Sequence, residues 1–319
     1  MLRTVILALS VASIAGPAVG QSGWGMSTGP GWHPRTFGSL GSSGWESCVN
    51  DNHEYSLERA LRDCTRIVDD PHADRLSQAD ALWFRAKVYF DLQQDELARA
   101  DLHRARELYT EVIQANPREP GGYNNRASVN MRLENYDIAL ADYDRAIEFE
   151  GDYATPHVGR AQILFRRGDY AGAMAAYDRA SRIAARVEGT GAGIYAGKCA
   201  TRAATQTDLD AARRFCDRAV RNSQHSAWAL TTRGYFHVMQ GDLDAAARDF
   251  ARAVERDAYY APALYGRGAV AVRQGRQAEG DADMARALEM NRWQVEYFAN
   301  AGLRPQPTAL RHANSSYIK

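Results

Sequence analysis

The sequence predicts an all-α fold, an α-solenoid of antiparallel helix pairs closed by a C-terminal capping helix. Three observations predict it. A unit of 34 residues recurs, small residues stand at fixed places in every unit, and alanine is abundant while β-branched residues are few. Alanine loses no side-chain entropy on entering a helix, whereas β-branched chains lose χ1 freedom.

The recurrence shows in similar phrases: GDLDAAARDFARAVERD from Gly241, ENYDIALADYDRAIEFE from Glu134 and RGDYAGAMAAYDRASRI from Arg167. Units open at Ala79, Pro120, Ala154, Gly193, Ala227 and Ala261, each reading as helix, turn, helix. Their eighth residues are Ala86, Ala127, Ala161, Ala200, Gly234 and Gly268. The twentieth are Ala98, Ala139, Ala173, Ala212, Ala246 and Gly280, and the twenty-seventh are Ala105, Ala146, Ala180, Ala219, Ala253 and Ala287. Helices crossing at close range need Ala or Gly there, because larger side chains hold the axes apart. The twenty-fourth place instead carries Leu102, Tyr143, Tyr177, Cys216, Phe250 and Met284, large enough to fill the space between units.

On these residues the stretch from Ala79 to Trp293 resembles the tetratricopeptide repeat family, in its exported bacterial form. The first unit departs from the pattern with two extra turns in its second helix, and Glu188 to Ala192 interrupt the array as a hinge. Trp293 to Ala301 reads as the cap on the exposed end.

Ahead of the array, Arg3 and the apolar run Val5 to Ala15, followed by Ala18 and Gly20, read as an export signal over 1–20. The run is shorter than the ~20 residues a membrane-spanning helix needs. Residues 21–45, rich in Gly, Ser and Pro with Trp24, Trp32 and Trp45, read as a flexible leader, since such a composition buries little apolar surface. A degenerate first repeat is expected over 46–78, the array over 79–294, and the end of the cap with a loose tail over 295–319. The expected location is periplasmic or secreted, without membrane insertion.

The cysteines at 48, 64, 199 and 216 allow three pairings. The repeat register puts Cys199 seventh and Cys216 twenty-fourth in their unit, places that face each other across a hairpin, and Cys48 and Cys64 at eighth and twenty-fourth. Cys48 with Cys64 and Cys199 with Cys216 is the expected pairing, each closing a short loop for about 3 kcal/mol.

Composition and motifs exclude much. Lys plus Arg and Asp plus Glu both total 39, so no net field draws nucleic acid. No CxxC, HExxH, GxSxG or phosphate-binding loop is present in the repeat region, and no cofactor, metal or catalytic group is expected. Asp208 and Asp210 read as helix-capping carboxylates, and the Asp, Arg and Glu runs of the second helices as a solvated outer face with pairs at helical spacing.

The resemblance implies that a partner binds a concave face lined by the first helices. Asn124, Asn125, Arg132, Arg166, Lys198, Tyr235, Tyr265 and Arg273 are the candidate contacts, where rings supply area and Asn and Arg can bond main chain or carboxylate. The family's carboxylate clamp for chaperone C-termini is matched only at Asn125; Trp83, Lys87, Thr155 and Gly159 stand at its other places. The expected function is a non-catalytic scaffold of the bacterial cell envelope, taking a protein or extended peptide. A self-associating spacer, or a subunit of a secretion or envelope assembly machine, is the alternative.

Overall fold

A computed structural model describes residues 41–50, 55–185 and 191–298, and among them every regular element is a helix. The expected export signal, the leader as far as Leu40 and the tail beyond Phe298 lie outside these residues. Two compact units meet at the Gly191/Ala192 boundary, inside the interruption expected from the sequence.

The N-terminal unit holds four helix pairs: α1 (Gly41–Val49) with α2 (Leu57–Asp69), α3 (Arg75–Asp91) with α4 (Asp95–Ala115), α5 (Pro120–Arg132) with α6 (Tyr136–Phe149), and α7 (Ala154–Arg166) with α8 (Tyr170–Ala184). The C-terminal unit holds three: α9 (Ala192–Thr205) with α10 (Leu209–Asn222), α11 (Ala227–Met239) with α12 (Leu243–Arg256), and α13 (Ala261–Arg273) with α14 (Gln277–Phe298). Within each unit the partners of a pair pack together, and each second helix packs on the first helix that follows.

The small-residue places are the crossings: Ala86, Ala98, Ala105, Ala127, Ala139, Ala146, Ala212, Ala246, Ala253 and Ala287 are fully buried. The large residues at the twenty-fourth place fill the layers between units, Leu102, Tyr143 and Tyr177 in one unit and Phe250 and Met284 in the other.

In five of the pairs the turn has the same cap, in which the fifteenth residue of the unit takes a positive φ, at Gln93, Glu134, Gly168, Gly241 and Gly275; in the α9–α10 turn Gln206, at the fourteenth place, does so. The next amide reaches back five residues, as from Asn135 to the Asn130 carbonyl and from Asp169 to that of Leu164, both in a Schellman arrangement. Asp169, Asp208 and Asp242 then cap the following helices through their carboxylates.

Three expected boundaries change. Helix α1 begins at Gly41, not after Trp45, and Trp45 is buried with Cys48, Cys64 and Trp83, so burial of its ring converts the end of the leader into the start of the first pair. Helix α3 starts at Arg75, four residues before Ala79, because the longer α4 offers it extra length to pack on, an overlap tied by Arg75 to Glu111 at 3.1 Å. The expected cap, as far as Phe298, is the far end of the 22-residue α14 and not a separate helix.

Candidate partner-binding face

The seventh and twenty-third residues of the units staple first helix to second. Arg85 to Asp101, Arg126 to Asp142, Arg233 to Asp249 and Arg267 to Asp283 are bidentate pairs at 2.6–2.9 Å, each spanning 16 residues. Asp101, Asp142 and Asp249 are buried. Bonding to the carboxylate of Asp142 and of Asp249 raises the Arg126 and Arg233 guanidiniums further above their ordinary range, against the opposing effect of burial. The run from Asp144 does lie on the exposed face expected of the second helices, whereas Asp101, Asp142 and Asp249 are turned inward because the facing first helix supplies an arginine fork.

Three pairs vary the staple in ways that show its logic. Where Ala176 stands at the twenty-third place, Arg160 bonds Asp144 of the preceding pair at 2.9 Å instead. In the first pair Ser47 takes the seventh place and bonds Asp63. In the unit that opens at Gly193, Cys199 occupies the arginine's place, and the disulfide to Cys216 ties the helices, with Cα atoms 5.2 Å apart. Cys48 and Cys64 are joined likewise, at 4.8 Å.

With the second helices committed to stapling, the first helices carry the remaining polar groups. In the N-terminal unit these form a buried network: Tyr109 donates to Asp80 Oδ1 at 2.6 Å, the Asn125 amide reaches the same oxygen at 3.4 Å, and Asn124 donates to Asn125 Oδ1 at 3.1 Å. Burial, then the adjoining Asp80 charge, push the Tyr109 hydroxyl well above its ordinary value. Tyr143 meets Ser128 at 3.2 Å, and burial pushes its hydroxyl up to about 12. Gln162 is fully buried, and among the described residues neither atom of its amide has a hydrogen-bond partner.

Of the eight candidate contacts, the structure turns five inward. Asn124 and Asn125 belong to the network just described. Tyr235 donates to the Pro262 carbonyl at 3.3 Å and meets the Phe250 ring edge-on, and Tyr265 lies in the same cluster. Lys198 is buried with its ammonium 4.9 Å from the centroid of Phe215. A residue sealed by its neighbours cannot touch a partner without a rearrangement, so these five are corrected from lining to core.

Arg132 and Arg166 remain half-buried at the ends of α5 and α7, and Arg273 is exposed at the end of α13. In the N-terminal unit Arg166 lies over the Tyr136 ring at 5.5 Å, and the charges of Arg166 and Arg132 both act on its hydroxyl against the larger effect of burial. The structure therefore sets Arg166 on Tyr136, with Arg132, like Glu134, near enough for its charge to act on the hydroxyl; Arg273 belongs to the other unit. Tyr136 was not singled out from the sequence; an aromatic at the first position of a second helix, four residues after Arg132, was the available signal.

The profile of the tetratricopeptide repeat matches residues 90–154, 124–186 and 231–291. The chain belongs to the tetratricopeptide repeat family. Human serine/threonine-protein phosphatase 5 is 30% identical over 116 residues, 36% of this chain and 22% of that protein, and the likeness is confined to its tetratricopeptide repeats. The rice (Oryza sativa subsp. japonica) protein SGT1 homolog is 33% identical over 78 residues, 24% of this chain and 21% of that one. The chain thus spans about a fifth of the length of these curated relatives. Among solved structures, yeast Tom70 has a TM-score of 0.62 at 16% identity, covering 92% of this chain and 68% of that one, which shows the fold alone.

As a tetratricopeptide repeat protein, the chain has the fold of protein-binding scaffolds, and its likeness to an enzyme stops at the repeats. Among the described residues no group of three His, Cys, Asp or Glu side chains could hold a metal ion, and no helix is long and apolar enough to cross a membrane.

Proposed function

We propose that the protein is a non-catalytic scaffold of the bacterial cell envelope that takes an extended, carboxylate-bearing segment of another protein beside Arg132 and Arg166. The single observation carrying this reading is the placement of those two arginines at the ends of consecutive first helices, with the Arg166 guanidinium over the Tyr136 ring and Arg132 near enough for its charge to act on the same hydroxyl. A guanidinium forks onto a carboxylate, and a ring beside it gives the segment apolar area at low entropic cost. Arginine near a helix C-terminus also complements the helix dipole, which accounts for one such residue per helix but not for their convergence on a tyrosine. The envelope assignment is supported by the charged start, short apolar run and small residues of 1–20 and by cysteines set in disulfide pairs.

Affinity capture from an envelope fraction, with the chain from Gln21 as bait, supplies the partner for the test. Replacing Arg132 and Arg166 by Ala is expected to weaken the captured partner more than about tenfold, the loss of one to two charge-assisted contacts, with helix content unchanged. Full binding by the double variant, with loss on deleting 21–40, overturns the reading in favour of the leader.

A further inference from the structure

The α9–α10 hairpin departs from the staple used elsewhere in a way that changes its surface. At the seventh and twenty-third places the other full units of the C-terminal unit carry Arg233 with Asp249 and Arg267 with Asp283. Here they are Cys199 and Phe215. The disulfide from Cys199 to Cys216 ties the helices, so no carboxylate is needed at the twenty-third place, and a half-buried aromatic ring stands there instead.

Cations gather on that ring and its neighbour. Phe215 stacks with Tyr195 at 6.3 Å and an interplanar angle of 21°. Arg218 lies over Tyr195 at 4.5 Å, and Lys198 and Arg202 over Phe215 at 4.9 and 5.9 Å. Arg213, Arg214 and Arg221 are exposed along α10 and have no ion pair with any described carboxylate. Residues 192–222 thus hold six cations against the three carboxylates Asp208, Asp210 and Asp217. Asp217 is taken by Arg233 at 2.8 Å, and Asp208 caps the Ala211 amide. The α11–α12 and α13–α14 hairpins of the same unit balance their charges.

We infer that the outer side of the α9–α10 hairpin docks an acidic segment of a partner protein, rich in Asp and Glu. The argument is charge complementarity. Arg213, Arg214, Arg218 and Arg221 are exposed along α10, and the Tyr195 ring that already holds Arg218 reduces the side-chain freedom lost when a carboxylate arrives. Lys198, buried, is not among the groups offered. A nucleic acid fits less well. Its phosphates need a long basic track, whereas the next second helix carries Asp244 and Glu255, and each ring already has a cation and the other ring beside it, which leaves less face for a base to stack on. This surface is in the C-terminal unit and does not depend on the reading at Arg132 and Arg166.

The test measures binding of a labelled oligoglutamate peptide to the full chain by fluorescence anisotropy over a range of salt, with oligolysine and oligothymidylate as comparisons. Three of the four exposed arginines of α10, spaced along one helix face, are reversed in one variant, R214E/R218E/R221E, with its melting curve as a check on folding. The expected result is salt-sensitive binding of oligoglutamate, weakened more than about tenfold in the triple variant and retained in R132A/R166A. Three results overturn the inference: no binding by the unaltered chain, equal binding by a folded triple variant, or oligothymidylate binding as tightly as oligoglutamate. Loss of oligoglutamate in R132A/R166A alone also overturns it, and in that case supports the other face.

Discussion

Replacing Gly159 by Ala sets intrinsic helix preference against packing, and the structure decides which wins. In α7 the added methyl gains about 0.5 to 1 kcal/mol of helix propensity. Its Cβ, however, falls 2.2 Å from Tyr143 Cζ and 2.5 Å from both Cε2 and the hydroxyl oxygen. The ring would have to retreat by more than about 1 Å to reach ordinary van der Waals contact, yet Tyr143 is enclosed and its hydroxyl meets Ser128. Overpacking of this kind costs about 1 to 3 kcal/mol, and weakening the Ser128 contact adds about 0.5 to 1.5 kcal/mol. The net expectation is a loss of about 1 to 3 kcal/mol, opposite in sign to propensity. Urea and thermal unfolding followed by circular dichroism measure it. Gly121→Ala, whose Cβ meets only the Glu119 carboxylate at 3.4 Å, is the control and should be neutral or stabilising. Gly266→Ala, with its Cβ 2.4 Å from Phe250 Cε1, should repeat the loss in the other unit. An unchanged or raised melting point for Gly159→Ala would refute the claim that the twenty-fourth side chain of one repeat packs on the sixth residue of the next.

Asp142→Ala strands the Arg126 guanidinium against α6; as the arginine is about a fifth exposed, the expected cost is about 1 to 3 kcal/mol, below that of a fully buried pair, and an unchanged urea midpoint would remove the staple from the account. Glu134 holds a φ of 63° in a turn where other pairs use glycine, so Glu134→Gly should stabilise by about 0.5 to 1 kcal/mol in the same assay, and destabilisation would contradict the cap assignment. Burial lowers the pKa of His157 and of His237, the latter despite the opposing charge of Asp249. A histidine held neutral in the fold contributes stability above its unfolded value of about 6.5 and loses it as pH falls through the folded value. Melting points should therefore drop as pH falls below about 6.5, less steeply in H157Q/H237Q, and NMR titration should place both midpoints below that value.

How far the fold was legible follows from the range of the interactions. The period, the crossings at Ala127, Ala139 and Ala146, and the cysteine pairing across hairpins follow from helical geometry, because a residue's place in a 34-residue unit states which face it occupies. The candidate face was legible only in part. Register put Asn125, Tyr235 and Arg132 alike on the first-helix side, but register cannot say what a neighbouring helix covers: Asp80 meets the buried Asn125, Pro262 and Phe250 meet the buried Tyr235, and Arg132 stays half-buried within reach of solvent.

The sequence by itself determined that this chain is a stack of helix pairs, because alanine placement and helix periodicity act within a few turns and need no knowledge of the partner helix. Only the tertiary structure decided where its charges go. Asp142 sits on α6 among residues that suit a surface at helical spacing, and nothing local distinguishes it from Asp144 two places on. The difference is that Arg126, 16 residues earlier on the facing helix, forks onto one of them, while Arg160 of the next pair takes the other. A long side chain can reach several carboxylates, and the choice among them is made by helix separation and burial, which belong to the packed assembly and not to any segment of the chain.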